Sequence, residues 1–234
     1  MSAFGKSRYL VDSPNAVRTI GMLQTDVGLR VRFGDPEKFG EQTALRLQSL
    51  HNTVKDVTAR VVALADDKTR TEVAKHHAAK QLAEKATKAI GETVKDFSVR
   101  SKLLQRDGAN RAERAFAPRE GYAHIESEVR QWVREQMKTP DGIGAVSGMM
   151  KEDAAFAAII CHSPHYLVGV AKEVHSKWYM DAVERYVPDA YAMLEESNEL
   201  SEVVSRAEDS IREINTAFFN AELAKQAETR VVID

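Results

Sequence analysis

Six apolar residues, Leu47, Leu50, Val54, Val57, Val61 and Leu64, follow one another at spacings of 3, 4, 3, 4 and 3. At 3.6 residues per turn these positions fall on one helix face, forming an a/d seam over about three heptads. A strand would scatter them over two faces. A seam of this length must be covered by another helix, and the chain supplies one directly. "ADDKT" interrupts the pattern, and Thr69 or Asp67 is suited to cap a second helix. From about Thr69 to Gln105, Val73, Ala79, Ala83, Ala86, Ile90, Val94, Phe97, Leu103 and Leu104 recur at three- and four-residue spacing. Asp35-Pro36 supplies the first helix with a start, Asp as N-cap and Pro at the first helical position. Two helices joined by a short polar turn predict an antiparallel hairpin over residues 35–107.

Residues 1–34 read differently. Pro14 and Gly5, Gly21, Gly28 and Gly34 punctuate them, and Val27, Leu29, Val31 and Phe33 alternate with Gly28, Arg30 and Arg32. That pattern predicts an extended N-terminal arm with a short strand. Its contact residues are expected to be Arg8, Tyr9, Arg18, Arg30, Arg32 and Phe33. Residues 108–121 read as a linker, with Gly108, Pro118 and Gly121.

Residues 122–234 read as a C-terminal helical module. One helix carries Ile125, Val129, Trp132 and Val133, and "GIGAVSG" (Gly142–Gly148) follows as a loop. A short apolar helix spans 152–161, another helix spans 164–187, and a long one runs from Pro188 to about Glu228. The stripe of the last is Tyr191, Leu194, Val203, Ala207, Ile211, Ile214, Phe218 and Leu223, and "TRVVID" fits a closing strand. The fold class is therefore all-α: a long antiparallel helical hairpin, a C-terminal helical module and an extended N-terminal arm.

Composition excludes some classes. Of 234 residues, 43% are hydrophobic and 29% charged, too apolar for a disordered chain. No apolar run reaches 18 residues and the first 15 lack a signal-peptide core, so neither a membrane span nor signal-directed secretion is expected. A single cysteine rules out an internal disulfide. Net charges of +3, +4 and −9 over residues 1–34, 35–118 and 119–234 leave −2 overall. Opposite charge in the two halves allows them to attract each other within one chain or between copies.

The candidate chemistry centres on "ICHSPHYLVGVAKEVH", Ile160–His175, where Cys161 stands beside His162 with His165 and His175 nearby. Cys161 and His165 are four apart, as two ligands or a thiol–imidazole pair on one helix would be. Ser163-Pro164 lies between them, however, and reads as the cap and first residue of a new helix. No CxxC or HExxH accompanies them. The stretch is best read as a corner, followed by a core-facing stripe of Leu167, Val170, Ala171, Val174 and Trp178. His76-His77 lies on the hairpin, one histidine facing the seam and the other solvent. "GIGAVSG" lacks the GK[ST] of a phosphate loop. The carboxylates of Leu194–Ser210 read as a solvated face. Lys75, Lys80, Lys85, Lys88, Lys95, Arg100, Lys102 and Arg106 fit a phosphate-binding surface, but Glu72, Glu84, Glu92 and Asp96 interleave with them. No catalytic, cofactor or metal set is expected.

From about Tyr122 to Val187 the chain shows a helix "IESEVRQWVREQM", a glycine-rich break, "KEDAAFAAIICHSPHYLVGV" and then "EVHSKWYMDAVERYVP". With Asp153, Ala157, Ile160, Pro164, Tyr166, Leu167 and Gly169 in place, this segment resembles uncharacterised helical proteins of tailed bacteriophages and prophages. The resemblance covers a little over a quarter of the chain and implies a setting, virion assembly, rather than an activity. The expectation is a non-enzymatic structural or assembly protein of a virion or host cytoplasm. It would associate with itself through the seam or the arm, or with other virion proteins. A nucleic-acid-associated protein using the basic hairpin is the alternative, and a metal or thiol enzyme at Cys161 and His165 the second.

Overall fold

The computed structural model describes residues 8–227 and is all-α, with no strand among them. Its helices are α1 (Pro14–Leu23), α2 (Asp26–Phe33), α3 (Glu41–Asp66), α4 (Glu72–Ala115), α5 (Ala123–Gln136), α6 (Gly142–Glu152), α7 (Ala154–His162), α8 (His165–Val168), α9 (Lys172–Tyr186), α10 (Pro188–Phe218) and α11 (Ala221–Gln226). They fall into two compact units. One holds the residues up to Arg100 and those from Glu199 onward, and the other holds Ser101–Asn198.

In the first unit the seam is where its spacing places it. Leu47, Leu50, Val54, Val57, Val61 and Leu64 are all buried. Most of them share a core with Ala79, Ala83, Ala86 and Ile90 of α4 and with Ala207, Ile214 and Phe218 of α10. The alanines let the helices approach, and each buried Val or Leu contributes about 2 kcal/mol. The seam is thus covered from within the chain.

The extended arm is not present among the described residues. Residues 14–33 form two short helices instead. Ser13 caps α1 by accepting from the Ala16 amide at 3.1 Å, with Pro14 at the first position, and Thr25 caps α2 through the Gly28 amide at 3.1 Å. Ala16, Ile20 and Leu23 form the buried stripe of α1, and Leu29 and Phe33 that of α2. The alternation over 27–33 is coincidental, since Val27 and Val31 face solvent. Gly28 has a role a strand would not give it. A β-carbon there would overlap the Met22 carbonyl at the end of α1, so the tight α1–α2 corner requires glycine.

Of the expected arm contacts, Tyr9 and Phe33 are core residues and Arg8 lies 5.8 Å over the Tyr9 ring. Arg32 pairs with Glu213 at 2.6 Å, Arg30 pairs with Asp35 and Glu37, and Arg18 is exposed. Asp35-Pro36 opens only a 3-10 turn, Pro36–Lys38, and α3 begins five residues later.

The second unit departs from expectation in its punctuation. α4 runs unbroken through buried Gly108, so only 116–122 connects it to α5 and most of the expected linker is helix. "GIGAVSG" is the start of α6, not a loop. Gly142 packs so closely on the Gln136 carbonyl that a β-carbon would overlap it. The helix expected over 164–187 breaks at Gly169 (φ 74°), giving α8 and α9. Val168, Trp178, Ala182 and Val183 are buried there, whereas Leu167 and Ala171 are exposed. The long last helix ends at Phe218, and α11 follows. "TRVVID" and Glu228 lie outside the described residues. Ser101 and Ser197 lock α4 to α10, each hydroxyl donating to the other's carbonyl at 3.0 and 2.9 Å. The core of this unit includes Val133, Val146, Phe156, Ile160, Trp178 and Val183.

Candidate functional site

The polar interior of the second unit is built around α7. Asp153 starts this helix, its Oδ1 accepting from the Ala155 and Phe156 amides at 2.7 and 3.1 Å. "AAFAAIIC" is apolar all round, and a helix of that kind is stable only when enclosed. Its end is closed by Ser163, whose hydroxyl donates to the Ile159 carbonyl at 2.6 Å, and by Pro164.

His162, the last residue of α7, reaches back to α4 and across to α5. Its Nδ1 lies 3.0 Å from the Phe116 carbonyl, which only accepts, so Nδ1 carries a proton. Its Nε2 is 3.3 Å from Glu126 Oε2 but without hydrogen-bond alignment. Arg130, one turn along α5 from Glu126, donates to that same Oε2 at 3.3 Å and to Ser163 Oγ at 3.4 Å. The Glu126 side chain is 11% exposed. A carboxylate this enclosed needs the Arg130 guanidinium that donates to it.

Beside this cluster is a cavity of about 90 Å³. Ala155, Ala158 and Ile159 of α7, the half-exposed Tyr122 and Ile125, and the polar Arg119, Glu126 and His162 are among the residues that line it.

The Cys/His stretch resolves into helix punctuation. His175 Nε2 donates to the Ile160 carbonyl at 3.0 Å and His165 Nδ1 to the Val170 carbonyl at 3.3 Å. Three histidines therefore satisfy backbone carbonyls around one corner. Cys161 is buried, and burial pushes its thiol up to about 12. It remains a thiol at any physiological pH and makes a poor nucleophile or ligand. Among the described residues no group of three His, Cys, Asp or Glu is placed to hold a metal ion. A thiol reagent at pH 8 is expected to label Cys161 at least roughly a hundredfold more slowly in the native chain than in urea. Comparable rates in the two conditions would contradict this burial.

The other histidines sit elsewhere. His76 is buried, and its Nδ1 accepts the Asn220 amide at 3.0 Å, tying α4 to the cap of α11 rather than to α3. His77 pairs with Gln81 at 3.2 Å, His51 lies 6.3 Å from the Phe33 ring, and His124 is exposed.

Burial is the main cause that lowers the proton affinity of both His76 and His51. Around His76, Glu72 opposes and Lys75 reinforces that effect. Around His51, Arg30 reinforces while Asp26, Asp35 and a Gly34 backbone contact oppose. The folded state thus binds fewer protons than the unfolded chain once pH falls below the unfolded value near 6.5. Their stabilising contribution is complete above pH 6.5 and declines as pH drops through the lowered folded values. The urea midpoint should fall between pH 7.5 and pH 5. His76→Asn, which keeps an acceptor that does not protonate, should flatten that fall; an unchanged slope would contradict the assignment.

The sequence pointed to residues 160–175, and the structure adds Phe116, Glu126 and Arg130. The Glu126–Arg130 pair was visible as an i,i+4 couple, but its link to His162 needs the packing of α5 on α7. The carboxylates of Leu194–Ser210 are mostly at the surface. No helix of the described residues is long and apolar enough to cross a membrane. No family model matches the sequence, and no curated protein or solved structure matches it either.

Proposed function

We propose that this chain is a non-enzymatic structural or assembly protein that works through contacts between helical surfaces. The resemblance of residues 122–187 makes a bacteriophage particle, or its assembly, the setting. The observation that carries the reading is where the large apolar side chains lie. Both units have complete cores, yet Val27, Val31 and Leu45 in the first and Ile143, Tyr166 and Leu167 in the second are 42–73% exposed. Val27 and Val31 lie one turn apart on the same face of α2, and Tyr166 and Leu167 are adjacent on α8. Exposed apolar residues grouped in this way suit surfaces that another protein covers. The arm gives way in this reading to the outer face of α2, and the seam stays inside the fold.

The nucleic-acid reading has one observation in its favour: Lys85, Lys88 and Lys95 project from α4 without an ion pair among the described residues. Sedimentation of the full chain across concentration, with and without duplex DNA, separates the two. The assembly reading expects a mass that rises above 26.1 kDa with concentration. A chain that stays single and binds DNA with a steep salt dependence would replace it with the alternative.

A further inference from the structure

His76 makes a hydrogen bond that only an uncharged imidazole can accept. Its Nδ1 takes the Asn220 amide at 3.0 Å, and Asn220 is the cap of α11. We infer that this bond is an acid-release latch: when His76 gains a proton, α11 comes away from α4 while the α3–α4 hairpin stays folded. The inference goes beyond the assembly reading and does not depend on it.

The bond fixes the tautomer. Nδ1 offers its lone pair to the amide, so the proton of the neutral ring is on Nε2. A second proton can only go to Nδ1. It would then face the Asn220 N–H, donor against donor, and the amide would lose its acceptor. His76 is 3% exposed, so the charged ring reaches no water unless something moves.

The surroundings do not rescue the charge. On α4 itself Glu72 favours the charged ring and Lys75 opposes it, and burial outweighs Glu72 in holding the proton affinity down. Glu72 is also bound by Lys75 Nζ at 3.0 Å. The charges of the neighbouring elements are engaged elsewhere or at the surface. Asp67, past the end of α3, holds Thr69 and Arg70, and Glu213 of α10 pairs with Arg32. Glu222 and Lys225 of α11 are exposed.

What the latch holds is easily released. α11 has six residues, far short of the length at which a helix stands alone, and Ala224 is its one buried residue. Asn220 Oδ1 caps it by accepting from the Glu222 and Leu223 amides at 2.9 and 3.3 Å, so cap and latch meet in one residue. The hairpin and α10 share a core that includes Val54, Val57, Ile90, Ile214 and Phe218, and none of the buried residues of that core comes from α11.

Amide hydrogen exchange on the full chain tests this, with each rate divided by the unprotected rate at the same pH. Between pH 7.5 and pH 5.5 the opening of Leu223 and Ala224 should rise about tenfold, because the released ring binds its proton near pH 6.5 and the latched ring does so lower. Amides of Val54, Val57 and Val61 in the seam should change much less. His76→Asn, which keeps an acceptor and gains no proton, should hold the α11 change within about twofold. In the wild type, the Asn220 amide resonance should move with the His76 ring, at a midpoint below 6.5. An α11 that opens no more at pH 5.5 than at pH 7.5 overturns the latch. So does an α11 that opens together with the seam, since that opening is global, or a His76→Asn variant that keeps the full tenfold step. Should His76→Asn not fold, the wild-type titration decides: an Asn220 amide that ignores the His76 midpoint overturns the proposal.

Discussion

Gly28→Ala is expected to destabilise the protein by about 3 kcal/mol, although helix propensity alone argues for the opposite sign. Gly28 lies inside α2, where alanine is worth about 1 kcal/mol more than glycine in an unconstrained helix. Here the new β-carbon would overlap the carbonyl oxygen, the carbonyl carbon and the α-carbon of Met22, all backbone. Backbone at a helix end does not rotate away as a side chain does, so α2 must lift from α1. Leu29 and Phe33, both fully buried, would move with it. Gly91, in the middle of α4, supplies the control. Nothing lies within 4 Å of a β-carbon there, so Gly91→Ala should gain about 1 kcal/mol. Urea midpoints of the two variants should therefore move in opposite directions. Equal shifts, or a stabilised Gly28→Ala, would mean that the α1–α2 corner is not closed as described.

The same corner shows why part of the fold was legible and part was not. The seam of α3 was readable because six positions repeat one spacing, and a run of that length fits a helix and little else. α1 and α2 are 10 and 8 residues long, too short for periodicity to decide. Their caps, Ser13 and Thr25, look like turn residues, and Gly21 and Gly28 look like breaks. What makes them helices is burial of Ile20, Leu23, Leu29 and Phe33 in the first unit's core, a tertiary effect. "GIGAVSG" misled in the same way, since Gly142 is there for close approach to α5 rather than for freedom. At the site, Ser163-Pro164 correctly announced a corner. Nothing in the sequence brings Phe116, Glu126 and His162 together, because those contacts join three helices.

Removing the Glu126 carboxylate is the sharpest test of that junction. Glu126→Ala is expected to cost about 2 kcal/mol. Breaking a fully buried pair costs about 3–5 kcal/mol, but the Arg130 side chain is 21% exposed and has partial access to solvent. What remains after the substitution is an Arg130 that keeps its bond to Ser163 Oγ and a His162 Nε2 that has lost the Glu126 oxygen beside it. Glu126→Gln keeps the volume and an acceptor for Arg130 while losing the charge, so its cost should be about half as large. His162→Ala loses the bond to the Phe116 carbonyl whether or not Glu126 is present. The double variant Glu126→Ala/His162→Ala should therefore cost less than the two single changes combined, by about 0.5 kcal/mol or more. Additive effects would show that the 3.3 Å approach of Nε2 to Oε2 carries no energy. A Glu126→Ala variant as stable as the wild type would remove the case for this cluster as the junction of α4, α5 and α7.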